Sequence, residues 1–215
     1  MTRVDPAEAG RIAVGVSGTG SNLRALTAAA DRGDLGATIA LVFADRPCQA
    51  LDFAVEQGLE TCLVPAAPSG DSAGRAEEDR VLAATLEAIA PDLVVLAGYM
   101  RILGPRVLAA FDRRIINTHP SLLPAFPGAH PVRDTLAAGV GVTGATVHLV
   151  DQTLDGGPIL AQETVAVLPG DDEATLHERI KATERELLPR VVAELVARQL
   201  AAPSPAGATS GRLRR

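Results

Sequence analysis

Short apolar runs alternate with segments of helical pattern along the first half of the chain. The runs cover residues 11–16 (RIAVGV), 37–44 (ATIALVFA), 60–64 (ETCLV) and 92–97 (DLVVLA). Between them leucine and alanine recur at helical spacing, and glycine or proline marks the breaks. A strand that is apolar on both sides is buried on both sides, as in a parallel sheet that helices cover on each face. The sequence therefore predicts an α/β fold with a mostly parallel central sheet and helices on both faces.

The last third of the chain has a different order of predicted helices and strands. A helical pattern over residues 131–139 precedes two strand-like segments, 143–150 and 158–167, which are joined by a short loop that contains LDGG. Strands joined so closely must pair antiparallel, so the sheet should be mixed on one side, with an antiparallel pair toward the C-terminal part. A final helix is predicted over residues 172–199, where Pro189 should kink it or divide it in two.

The chain is long enough for one domain with a sizeable core. Its 215 residues divide into a flexible N-terminus over residues 1–10, a single domain over 11–200 and a tail over 201–215. The tail is rich in proline, alanine, glycine and serine and ends in RLRR, a composition typical of disorder.

Composition excludes several functional classes. The net charge is −6 and aromatic residues make up 2% of the chain, so a nucleic-acid surface lacks its neutralising charge and its stacking platforms. No apolar run approaches the ~18 residues of a membrane span, and the acidic start MTRVDPAEAG does not resemble a secretory signal. Cys48 and Cys62 lie apart and the histidines share no ligand spacing, so neither a disulfide framework nor a metal site is indicated. We expect a cytoplasmic protein that acts on small molecules.

The segment RRIINTHPSLLPAFPG carries the first candidate for chemistry. Residues 114–118 read as a buried strand, and successive side chains of a strand point to opposite faces. Asn117 and His119 therefore project to the same side at the carboxyl end, and Pro120 keeps His119 extended. An amide donor beside an imidazole suits acyl transfer, because the first polarises a carbonyl and the second moves protons. A strand end with a hydrogen-bonded histidine is the alternative.

A glycine loop follows the first predicted strand and opens a helix. Its sequence, SGTGSN, places backbone N–H groups at a helix start, where one phosphate can bind. It is not a dinucleotide fingerprint, because Leu23 stands where the third glycine should be, and it is not a Walker A loop, because Ser21 stands where lysine should be. A glycine turn with Ser21 or Asn22 as a helix cap is the alternative.

Two further loops lie at predicted strand ends. The LDGGP loop holds Asp155, which is either a turn residue or, if it meets His119, a carboxylate that holds the imidazolium. Residues 98–104 (GYMRILG) follow the most apolar strand and either line a slot for a flat aromatic ligand or pack under a loop. His148 lies within a strand alternation, and we interpret it as a hydrogen-bonded core residue or as a support for the site.

Taken together, four segments are far more specific than any one of them. SGTGSNL, LAGYMRIL, INTHPSLLPAFPG and LDGGPI occur in this order between residues 11 and 198, and on these residues the chain resembles the phosphoribosylglycinamide formyltransferase family. The resemblance implies a Rossmann-like formyltransferase fold, with a phosphate-binding half over 11–110 and a catalytic and folate half over 111–200. It also implies transfer of the formyl group of 10-formyltetrahydrofolate, without a metal, to the primary amine of glycinamide ribonucleotide in purine (IMP) biosynthesis.

The resemblance also assigns roles to individual residues. The catalytic residues would be Asn117, His119 and Asp155. The ribonucleotide would be held by the backbone of Gly20, Ser21 and Asn22, by Lys181, which is the only lysine of the chain, and by Glu184 at the ribose. The folate would be bound by Arg75, Met100, Arg101, Ile102 and Leu103, together with Asn117.

Departures from the family and neighbouring families define the alternatives. Tyr99 replaces a common phenylalanine, and His130-Pro131 differs from the usual sequence. The PGAHP segment is similar to formyltetrahydrofolate deformylase, a hydrolase with the same Asn, His and Asp, although about ten residues before the first strand leave no room for its regulatory domain. A methionyl-tRNA formyltransferase would need an RNA-binding domain, for which the acidic chain has no counterpart. A noncatalytic phosphate-ligand binding protein would leave Asn117, His119 and Asp155 unexplained. We expect small-molecule substrates, no nucleic acid or membrane partner, and a monomer or homodimer.

Overall fold

The computed structural model describes residues 9–201, which form a seven-stranded sheet with helices on both faces. In chain order the elements are β1 (Gly10–Val16), α1 (Ser21–Arg32), β2 (Ala37–Ala44), α2 (Gln49–Glu56), β3 (Thr61–Leu63), α3 (Ser72–Ile89), β4 (Leu93–Leu96), α4 (Pro105–Ala110), β5 (Ile115–His119), α5 (Pro131–Ala138), β6 (Val142–Leu149), β7 (Ile159–Ala166) and α6 (Glu173–Ala201). Gly10 belongs to β1 and Ala201 to α6. The rest of the predicted tail, and all but the last two residues of the predicted N-terminal segment, lie outside the described residues.

The strand order is β3-β2-β1-β4-β5-β6-β7. The first five strands pair in parallel, and β6 pairs antiparallel with both β5 and β7. The predicted α/β class, the mostly parallel sheet and the antiparallel β6–β7 pair are therefore confirmed. The sequence did not predict that β6 would also run antiparallel to β5, and this pairing proves important for the site.

Both faces of the sheet are buried, as the continuous apolar strands predict. Along β1, Ile12 and Val14 belong to a core shared with α1 and α6, whereas Ala13 belongs to a second core shared with α3 and α4. Burying a side chain such as Ile or Val stabilises the fold by roughly 1.5–3 kcal/mol. These cores fix the strands, and thereby the loops that leave their carboxyl ends.

Two helices are defined by burial and by capping, and the first is not divided as the sequence had allowed. Helix α6 runs through Pro189 without division, because Leu188, Val191 and Val192 are buried against the sheet on either side of the proline and hold the helix together. Helix α3 begins at Ser72, because the Asp71 side chain caps it by accepting a hydrogen bond from the Gly74 amide at 2.8 Å.

The crevice for a ligand lies where the order of the strands reverses in the sheet. Strands β1 and β4 are neighbours, but β1 leads to β2 on one side and β4 leads to β5 on the other. The loops after β1 and β4 therefore part at the carboxyl edge, where open α/β sheets bind their ligands. No helix within residues 9–201 is long and apolar enough to cross a membrane.

Candidate active site

A cavity of about 430 Å³ opens at the carboxyl edge of β4 and β5. Its walls come from the loop after β4, the end of β5, the start of α5, the loop between β6 and β7, and α6. Among its lining residues are Tyr99, Met100, Arg101, Ile102, Leu103, Asn117, Thr118, His119, His130, Pro131, His148, Asp155, Glu173 and His177. Most residues that the sequence selected for folate binding and catalysis therefore share one cavity.

His119 ends β5, and its ring lies between two acceptors. Its Nε2 is 2.9 Å from the carbonyl oxygen of Phe126, and its Nδ1 is 3.6 Å from Oδ2 of Asp155. The carbonyl can only accept, so Nε2 carries a proton and donates it. Nδ1 is beyond hydrogen-bonding distance of the carboxylate, which leaves it able to donate to a substrate atom when the ring is an imidazolium beside the anion.

Asp155 meets His119, which the sequence alone could not establish. Its side chain is 10% exposed, and its Oδ2 accepts a hydrogen bond from the Gly128 amide at 2.8 Å. Its backbone is left-handed, with φ of 50°, a conformation that aspartate and asparagine tolerate better than other side chains. The tight loop thus serves to direct one carboxylate at the histidine.

His148 occupies the centre of the cluster and orients Asn117. The two residues lie opposite each other in the β5–β6 register, and Asn117 Nδ2 is 3.2 Å from His148 Nε2. His148 Nδ1 is 2.9 Å from the Leu149 carbonyl and must donate to it, so Nε2 of the neutral ring accepts from Asn117. Burial lowers the pKa of His148 and keeps the ring neutral. The second N–H of the Asn117 amide is then available to a ligand.

The loop after β4 forms an apolar wall of the cavity. Met100 and Ile102 have 72% and 66% of their surface exposed, whereas Leu103 is buried. Arg101 forms a double hydrogen bond with Glu78 at 3.0 and 2.7 Å. Tyr99 is buried with its ring edge against Phe43, 5.2 Å between centroids, and burial raises the pKa of its hydroxyl.

Two other predicted features fall at the margin of this cavity. Arg75 is exposed on α3 and is not among the lining residues; it lies near Glu78, the partner of Arg101. His130 and Pro131, which depart from the family sequence, both line the cavity at the start of α5. Proline at the first helical position needs no N–H partner, so the departure is compatible with the helix start.

The glycine loop leads into α1 with its first-turn amides open. Gly20 is the N-cap residue, with φ of 81°, and in the described part of the chain no side chain caps the helix. A Cβ on Gly20 would lie 2.9 Å from the Ala50 backbone, so glycine is required here. The alternative that Ser21 or Asn22 caps the helix is therefore wrong. Such an open N-terminus favours an anion.

A buried chain of polar contacts connects the glycine loop with β5. Asn22 Nδ2 donates to Glu184 Oε2 at 3.0 Å, and Thr118 Oγ1 donates to Glu184 Oε1 at 3.3 Å. Burial raises the pKa of Glu184, and the Oδ1 of Asn22 is buried without a hydrogen-bond partner among the described residues. Lys181, one turn earlier on α6, donates to Glu178 at 2.8 Å. The structure thus brings Glu184 to the glycine loop.

Sequence reasoning missed the contribution of α6 to the cavity itself. His177 and Glu173 both line the cavity. His177 precedes Lys181 by four residues and Glu184 by seven, the spacing of one helix face. That periodicity was the signal that could have placed His177 beside the two predicted residues. Residues 9–201 hold no group of three or more metal-ligating side chains placed to bind a metal ion.

The chain is similar to known proteins both in sequence and in structure. Residues 10–192 match the formyl transferase family. Phosphoribosylglycinamide formyltransferase of Mycobacterium tuberculosis is 54% identical over 193 residues, which cover 90% of this chain and 88% of the relative. The crystal structure of glycinamide ribonucleotide transformylase 1 from Symbiobacterium toebii matches with a TM-score of 0.81 and 40% identity, over 87% of this chain and 89% of that one. A formyltetrahydrofolate deformylase from Pseudomonas syringae matches with a TM-score of 0.79 and 31% identity, over 91% of this chain and 64% of that one.

Proposed function

This chain belongs to the formyl transferase family, and from that premise we propose that it transfers the formyl group of 10-formyltetrahydrofolate to the primary amine of glycinamide ribonucleotide. The products are formylglycinamide ribonucleotide and tetrahydrofolate, in purine (IMP) biosynthesis. The formyl carbon arrives already activated on the folate, so the protein has to position two substrates and stabilise charge. Both substrates are water-soluble metabolites, and we place the reaction in the cytoplasm, in a monomer or homodimer.

One observation carries the assignment of both substrates to one site. Thr118 lies between Asn117 and His119 in β5, and its hydroxyl bonds to Glu184, which in turn bonds to Asn22 of the glycine loop. A ribonucleotide with its phosphate at the amides of Gly20–Asn22 would therefore extend along β5 toward the cavity that holds Asn117 and His119. We assign to Lys181 a positive charge for the phosphate and to Glu184 a contact with the ribose, as the resemblance implies.

The catalytic roles follow from the contacts in the cavity. The amine attacks the formyl carbon, and negative charge develops on the formyl oxygen. The free N–H of Asn117 and the Nδ1–H of the His119 imidazolium are the two donors for that oxygen. Asp155 stabilises the imidazolium across 3.6 Å. The amine must lose a proton and N10 of the folate must gain one, so proton transfer accompanies collapse of the tetrahedral intermediate.

The donor pocket is proposed for the loop after β4. Its lining by Met100, Ile102 and Leu103 offers apolar surface to the flat pterin, and Arg101 is fixed by Glu78. Arg75 is exposed, outside this cavity, and a role for it would be to meet the carboxylates of the donor's glutamate tail where that tail leaves the protein.

Tetrahydrofolate release from 10-formyltetrahydrofolate, measured with and without glycinamide ribonucleotide, tests the proposal. Release should require the ribonucleotide and should fall by about 10²- to 10³-fold in kcat for His119→Ala, because one donor to the developing oxyanion is lost. Release without an amine acceptor would instead indicate the deformylase, which the similar structure from Pseudomonas syringae keeps as the second candidate. Ligand binding without release in either condition would indicate a binding protein.

A further inference from the structure

Residues 99–103 form one wall of the cavity. The side chains of Met100 and Ile102 are 72% and 66% exposed although both residues line the cavity. The course of this main chain sets the positions of the apolar side chains and of the backbone N–H and C=O groups that a ligand on this wall could contact. Whatever fixes this main chain therefore influences binding of the ligand.

Two side chains from elsewhere in the fold hold this segment. Glu78 holds the Arg101 side chain, and Ser17 holds the backbone, since the Met100 amide donates to Ser17 Oγ at 2.8 Å across 83 positions of sequence. Among residues 9–201, the Met100 amide finds a hydrogen-bond partner, whereas the other backbone N–H groups of residues 99–103 do not. Ser17 itself follows β1 and opens the glycine loop.

Asp45 is a buried carboxylate near the Ser17 hydroxyl. The Asp45 side chain has no exposed surface, its Oδ2 accepts from Arg46, and its Oδ1 has no partner within 3.5 Å in the described part of the chain. Burial alone would raise the pKa of Asp45, but Arg46 and the nearby Ser17 hydroxyl lower it, so the group stays an anion. The observed contact of the Ser17 side chain is with the Met100 amide, which donates to the Ser17 oxygen.

We propose that Ser17 is a positioning residue for the formyl donor, which it serves by fixing the Met100 amide and thereby the main chain of residues 99–103. The inference rests on the proposed function and deepens it, since it names the residue through which the loop after β1 supports the folate site. Ser17 is buried, 9% exposed, and acts through Met100 rather than by touching the substrate.

Kinetics of Ser17→Ala test the proposal. We expect the KM for 10-formyltetrahydrofolate to rise about 3- to 10-fold, the effect of one lost hydrogen bond, while kcat and the KM for the ribonucleotide change less than about twofold. Ser17→Thr restores a hydroxyl and should recover most of the donor KM. The control is Thr27→Ala, which removes a buried hydroxyl whose one hydrogen bond among residues 9–201 goes to the Leu23 carbonyl within α1. This variant should leave both KM values unchanged.

Hydrogen exchange of the ligand-free protein gives a second, independent readout. The Met100 amide should exchange faster in Ser17→Ala than in the wild type, whereas core amides and Thr27→Ala should not differ. An unchanged donor KM with unchanged exchange would overturn the proposal, and so would an equal rise of both KM values with loss of thermal stability. If the wild type showed no ribonucleotide-dependent turnover, the proposed function would fail, and exchange at Met100 would still decide whether Ser17 holds the loop.

Discussion

Replacing Asp155 by asparagine isolates the charge of this carboxylate from its structural contacts. Asparagine tolerates the left-handed backbone, with φ of 50°, and its side-chain oxygen can still accept from the Gly128 amide. Alanine would add backbone strain and leave that amide unpaired. The variant Asp155→Asn should therefore fold and bind both substrates, while the anion that faces His119 is absent.

The size of the effect follows from the distance between the two groups. His119 Nδ1 and Asp155 Oδ2 are 3.6 Å apart, and the side chains are 5% and 10% exposed. Two unit charges at this distance attract by about 4.6 kcal/mol at an effective dielectric constant of about 20. The neutral amide of asparagine recovers part of this attraction. Each ~1.4 kcal/mol added to the activation free energy lowers the rate by a factor of about ten. We expect kcat to fall about 10²- to 10³-fold.

Steady-state kinetics and calorimetric binding of tetrahydrofolate form the assay. The loss should appear in kcat, with both KM values within about threefold of the wild type, because the missing charge acts when the oxyanion forms. Asp34→Asn, at a half-exposed carboxylate that pairs with Arg32 on the surface, is the control and should have wild-type kinetics. A kcat for Asp155→Asn within tenfold of the wild type, or a loss confined to binding, would refute the reasoning.

Three further perturbations test other parts of the site. His148→Leu removes the acceptor of the Asn117 amide and should lower kcat about tenfold with both KM values kept, whereas a rise in KM alone would contradict an orienting role. Burial raises the pKa of Glu184, so the native protein holds a proton that the unfolded chain has released, and the wild type loses stability as pH rises from about 4.5 through the raised pKa. In urea unfolding, the free energy of unfolding of Glu184→Gln minus that of the wild type should therefore be more positive at pH 8 than at pH 4.5. A difference that does not change with pH would count against the buried proton. Lys181→Met should raise the KM for the ribonucleotide about tenfold without changing the donor KM or the thermal midpoint, since the pair with exposed Glu178 adds little stability; equal changes in both KM values would argue against a phosphate contact.

The part of the site that the sequence predicted depends on local geometry. Asn117 and His119 follow from the two-residue period of a strand and from the position of that strand's carboxyl end. The open start of α1 likewise follows from a glycine loop after a strand. Asp155 required the resemblance, because no local rule brings a turn residue to a strand distant in sequence.

What the sequence could not give depends on pairings between distant segments. His148 faces Asn117 only because β6 runs antiparallel to β5 in one register, and a shift by one residue would turn its side chain to the other face. The same holds for Ser17, whose partner is an amide in the loop after β4. Helix α6 is not divided at Pro189, one of the two predicted effects, because burial of the flanking residues outweighs the local cost of proline.

The fate of the formyl group tests the central claim most directly. Incubation of the protein with 10-formyltetrahydrofolate labelled at the formyl carbon, together with glycinamide ribonucleotide, should place one label in the ribonucleotide for every tetrahydrofolate released. In Asp155→Asn the same partition should persist at a much lower rate. Label that accumulates as formate, with the ribonucleotide unmodified, would contradict the transferase and identify a hydrolase.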